Sequence, residues 1–129
     1  MIKKILLGVL ILSFILEIAL TALAFIKPER AIAMFKVSPT AGTEFLAFIT
    51  SWFLLLVSAL CVLAIYLLVK EKAGYVPLIY LMGIWWIGIG IGIYFVSGMK
   101  QNLYLDTVKG LILCILNFIY TRQRSVKLS

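Results

Sequence analysis

Four apolar runs occupy almost the whole chain, and each is close to the ~20 residues a helix needs to cross a bilayer. They cover residues 5–26, 45–69, 77–97 and about 103–121. Hydrocarbon offers the backbone no hydrogen-bonding partner, so spanning segments must be helices or the strands of a closed barrel. The third run contains Ile87-Gly88-Ile89-Gly90-Ile91-Gly92-Ile93, an alternation that would suggest a strand in water. An isolated strand cannot satisfy its edges in lipid, so the reading is helical throughout.

With 129 residues there is room for a single domain and little else. Apolar residues make up 64% of the chain and charged ones 13%, a balance that a soluble fold would have to display as large exposed patches. The expected fold class is therefore all-α, an antiparallel four-helix transmembrane bundle. Short connections at residues 70–74 and 98–102 make their neighbouring helices antiparallel. The first connection, residues 27–44, is the longest. Pro28 ends the first span, and Glu29 to Lys36 predicts a short interfacial helix carrying Ile32, Met34 and Phe35. Residues 38–44 then read as a turn, with the next helix starting at Thr43.

Four spans put both termini on one side of the membrane. Lys3, Lys4, Lys70, Lys72, Arg122, Arg124 and Lys127 lie on that side, against Lys27, Arg30, Lys36, Lys100 and Lys109 on the other. Basic residues favour the cytoplasmic face, so the expected location is a bacterial inner (plasma) membrane with both termini cytoplasmic. Tyr66, Tyr75 and Tyr120 near one face, and Tyr94 and Tyr104 near the other, suit interfacial belts. Lys3-Lys4, a short apolar stretch and Ala22-Leu23-Ala24 together resemble a cleavable signal peptide. Glu17 interrupts that stretch and argues for a retained helix.

The net charge of +7 does not point to nucleic acid, because the basic residues sit at the ends of apolar runs without interleaved aromatics. There is no histidine and no C-x-x-C, so zinc, haem and Cys–His catalysis lack their usual groups. Cys61 and Cys114 fall at about the same depth, which suits a redox pair or two small hydrophobes packed in helices. No phosphate-binding loop, nucleophile elbow or metal motif occurs. Neither a catalytic residue nor a cofactor is expected.

Glu17 is the best functional clue. An ionisable group at bilayer depth costs several kcal/mol and normally faces the bundle interior. Ser13, Glu17 and Thr21 share one stripe of the first helix. Ala47, Ser51, Ser58 and Cys61 form a similar stripe on the second, and Asp106, Gly110, Asn117 and Thr121 on the fourth, with Lys109 beside Asp106. Counting the rise per residue places Glu17, Ser58 and Lys109 all roughly 18–20 Å deep, so a Glu17–Lys109 pair is possible. Two readings follow. One is a polar cavity opening toward the non-cytoplasmic side and centred on Glu17; the other is a structural ion pair that fixes helix register. Gly88 and Gly92 make a small-xxx-small pair for helix packing, within the bundle or across a homodimer. Gly90 is read as leaving room for a ligand beside Trp86, whose ring can hold a cation or a flat group.

Three features together resemble the small four-helix membrane proteins of the BphX-like and DoxX-like group. These are Lys27-Pro28-Glu29-Arg30, then Gly-Thr-Glu-Phe-Leu-Ala at residues 42–47, and Asp106-x-x-Lys109-Gly110 opening the last helix. The resemblance implies a compact helical bundle, with some relatives serving as membrane partners of oxidoreductases that meet quinones. It transfers no catalytic residue. Separately, Glu17-Ile-Ala-Leu-Thr21 resembles the Glu-x-x-x-Thr segment of small multidrug resistance exporters. That likeness implies a proton-coupled dimer, but the long first connection and Lys109 depart from it. The leading expectation is a non-enzymatic bundle that binds a small quinone- or lipid-like molecule near Glu17, Thr21, Ser58, Trp86, Gly90, Asp106 and Lys109. The alternatives are an exporter-like dimer and a structural subunit of an oxidoreductase complex.

Overall fold

In the computed structural model the described residues form five helices: α1 (Ile2–Ile26), α2 (Pro28–Met34), α3 (Ala41–Val69), α4 (Tyr75–Ser97) and α5 (Lys100–Leu128). The structure describes residues 1–128 except Phe35, Val37 and Pro39, and side chains as far as Ser125. The four long helices are long and apolar enough to cross a membrane, and the chain is an integral, multi-pass membrane protein. Each helix extends beyond the apolar run that announces it. Once started, the backbone ladder continues into the polar margin, where water can satisfy its last groups.

The boundaries have local causes. Pro28 has no N–H to continue α1 and instead opens α2 at the position where that donor would be unpaired anyway. The predicted short helix is present but stops at Met34, while Lys36 adopts a left-handed turn (φ 57°). Phe35, assigned to its apolar face, lies outside the described residues. The second span starts at Ala41 rather than Thr43. Thr40 is its cap: its hydroxyl accepts from the Thr43 N–H at 3.2 Å, and its own N–H donates to the Thr43 hydroxyl at 2.7 Å. Thr43 is thus the reciprocal partner in a capping box, three residues into the motif. Gly98 ends α4 in the left-handed region (φ 69°), a conformation without penalty for glycine.

The long helices form a ring in the order α1, α3, α4, α5. The α4–α5 seam is the most extensive and the α3–α4 seam the thinnest, while α1 and α4 stand diagonally. A core of Leu6, Leu10, Leu68, Tyr75, Ile79 and Leu113 fills the end that holds both termini. There Glu71 joins three elements. It accepts from Lys3 of α1, and its backbone carbonyl accepts from the Arg124 guanidinium of α5 at 3.1 Å. The Lys3 hydrogen bond, with the lysine's charge, holds the Glu71 carboxyl below the usual carboxylate range.

Glycine decides the tightest seam. A Cβ on Gly90 would come 2.5 Å from the Thr107 hydroxyl and 2.9 Å from the Asn102 carbonyl. One on Gly83 would strike the Cys114 thiol and approach the Gly110 carbonyl to 2.9 Å. The close approach expected of Gly88 and Gly92 is therefore made inside the chain by Gly83 and Gly90. Gly88 and Gly92 face open space. Alanine at Gly83 or Gly90 is expected to lower stability by about 1–3 kcal/mol through overpacking. Alanine at Gly88 or Gly92 should stay within about 1 kcal/mol of wild type, by helix propensity alone. Thermal unfolding in mild detergent reads the difference, and equal losses at all four positions would contradict this packing.

Candidate functional site

The inward stripes assemble as their periodicity predicts. Ser13, Glu17 and Thr21 of α1, Ser51, Ser58 and Cys61 of α3, and Gly110 and Asn117 of α5 are all buried. Most hydroxyls on these stripes are satisfied by their own helix. Ser13, Ser51, Ser58 and Thr21 donate to the carbonyls of Val9, Ala47, Leu54 and Glu17, four residues back. This is how isolated Ser and Thr are accommodated where water is absent. They shape the interior without contributing charge.

Glu17 is different. Its Oε1 accepts from the Trp86 indole Nε1 of α4 at 2.9 Å and from the Lys109 ammonium of α5 at 3.1 Å. The Glu17 side chain is 6% exposed and that of Lys109 15%. Lys109 also pairs with Asp106 at 3.2 Å, one turn earlier on α5, and lies 4.2 Å from the Trp86 ring centroid. Asp106 in turn accepts from the Asn102 amide at 3.2 Å. Three helices meet through five side chains. Lys109 stands between two carboxylates and over one ring, so each of its neighbours offsets part of its desolvation.

Beside this cluster lies a cavity of about 370 Å³, within the range of small-molecule sites. Glu17, Asp106 and Asn102 stand at its polar end. Ala24, Ile32, Leu54, Val57, Trp85 and Ile89 are among its apolar walls. The cavity exists because α3 and α4 part over this half of the bundle while α2 covers its end. Phe53 and Trp85, and Met34 and Leu46 nearer α2, are about half exposed, so the cavity is open to the surface of the bundle.

Of the seven residues expected at the site, Glu17, Trp86 and Asp106 line this cavity. Lys109 stands behind the two carboxylates, and Thr21 is bonded to the Glu17 carbonyl. Ser58 is turned to its own helix, and Gly90 to α5. Sequence reasoning missed one participant, Asn102, and one bond, that of the Trp86 N–H, although it expected the Trp86 ring at the site. Asn102 lies one turn from Asp106, a spacing that brings an amide to a carboxylate. The Trp86 N–H is a buried donor that must find an acceptor in a dry bundle, and Glu17 is one of few at its depth. Cys61 and Cys114 are both free thiols. No family model, curated protein or solved structure matches this chain.

The asymmetry of the cluster makes a testable difference. Lys109→Met leaves Glu17 and Asp106 without their shared cation and should cost about 3–5 kcal/mol. Glu17→Gln should cost less, because Lys109 keeps Asp106 and glutamine can still accept from Trp86. The double variant should recover part of the lysine loss. A thermodynamic cycle in detergent with coupling near zero would contradict the pairing.

Proposed function

We propose that this protein is a non-enzymatic membrane bundle that binds a small lipophilic molecule between its helices, beside Glu17. The reading is carried by the cavity of about 370 Å³: mostly apolar walls, half-exposed residues such as Phe53 and Trp85 among its lining, and two carboxylates on its wall. Purely structural ion pairs need no space beside them. Here the carboxylates of Glu17 and Asp106 border the void as well as holding Lys109. A ligand entering from lipid would slide its apolar body between Phe53 and Trp85 and bring its polar group to Glu17. The same proposal sets both termini at the cytoplasmic face of a plasma membrane, on seven basic residues against five.

The engagement of Glu17 with Lys109 and Trp86 favours binding over proton-coupled export. Filling the cavity tests the reading. Ala47 is half-buried on the α3 wall, and Ala47→Phe should occupy the void without touching the ion cluster. Native mass spectrometry of mildly extracted protein should then show a retained lipophile in wild type and at least about a tenfold loss in the variant. Equal retention by both would contradict the assignment.

A further inference from the structure

The cavity wall is unbalanced in charge. Two carboxylates, Glu17 and Asp106, border it, and among the described residues no Lys or Arg does. The one nearby cation, Lys109, is spent on both of them. Formally the cluster of three carries one negative charge in excess. The hydrogen bonds repeat the imbalance. Glu17 Oε1 takes both the Trp86 and the Lys109 donors, while Oε2 accepts from no described residue, although the side chain is almost wholly withdrawn from the surface. Glu17 lines the void, and Oε2 is its carboxylate oxygen without a donor among the described residues. The remaining polar side chains on the wall, Asn102, Thr43 and Thr50, are neutral.

Resting on the lipophile-binding reading above, we infer that the ligand is a single-chain amphiphile with a protonated amine head. The ammonium sits between Glu17 Oε2 and the Asp106 carboxylate, balancing the excess charge and supplying the donor that Oε2 lacks. The chain lies along Phe53, Trp85 and Ile89 toward the surface of the bundle. A ketone or quinone carbonyl would bring one more acceptor to an end already rich in acceptors, and a carboxylate a further negative charge. Both leave buried groups unpaired, which is how a polar site rejects a near-isostere.

The test is a head-group series on one chain length. Wild-type protein in a neutral detergent is titrated with dodecylamine, dodecanol, methyl undecyl ketone and dodecanoic acid at neutral pH, and retention is followed by native mass spectrometry. The Ala47→Phe variant supplies the background for each. The amine should be retained at a concentration about tenfold or more below the ketone, with the acid weakest. In Asp106→Asn the advantage of amine over alcohol should shrink, while binding of the alcohol itself changes little. Retention that Ala47→Phe abolishes but that is equal for all heads, or strongest for the acid, would overturn the amine assignment and leave the lipophile site standing. Retention of no head group above the Ala47→Phe background would overturn both.

Discussion

The fold turns on the placement of Lys109 between Glu17 and Asp106. A lone ammonium or carboxylate at that depth would be expensive; together the three groups, with the Trp86 indole, satisfy most of one another's demands. The cluster joins α1 to α5 by charge and α1 to α4 by a hydrogen bond. α1 and α4 are diagonal in the ring and have no close backbone approach, so the Trp86–Glu17 bond spans the centre of the bundle. Apolar side chains alone could not specify this arrangement, because in lipid they are nearly as well solvated by acyl chains as by each other. Polar groups with few available partners fix the register instead.

Packing density then varies in a way that leaves room for a site. Gly83, Gly90 and Gly110 let α4 and α5 touch along most of their length. At the terminal end Glu71 ties Lys3 and Arg124 together over a filled core. The opposite half keeps the glycine seam, where Gly90 meets Asn102 and Thr107, but lacks the Glu71 tie. There α3 and α4 separate, α2 covers the end, and the cavity lies against the ion cluster. The two ends do different work: one holds the helices, and the other leaves space between them.

Much of this was legible in the sequence, for reasons that can be named. Apolar run length predicts spans, and the helical stripes carrying Glu17, Ser58 and Asn117 predict inward faces. Depth arithmetic brought Glu17 and Lys109 to one level, and they meet at 3.1 Å. Other features depend on the third dimension. The Gly88–Gly92 spacing marks a face fit for close approach, yet which glycines meet a neighbour is set by the rotation of α4, and that selects Gly83 and Gly90. The start of α3 moved from Thr43 to Ala41 because either threonine satisfies the cap pattern, and the reciprocal bonds decide between them. The cavity had no sequence signal beyond its polar end. Its volume arises where two helices diverge, and no single residue encodes that.

The most direct test of the account is the separation of Glu17 and Lys109 in a bilayer. Solid-state NMR on protein carrying ¹³C-glutamate and ¹⁵N-lysine, reconstituted in lipid, would measure the dipolar coupling between the Glu17 carboxylate carbon and the Lys109 side-chain nitrogen. A coupling consistent with an N–O distance near 3.1 Å, lost in Glu17→Gln, is the predicted result. Its absence in the folded wild-type protein would contradict the central claim, because the helices would then be held together by something other than this pair.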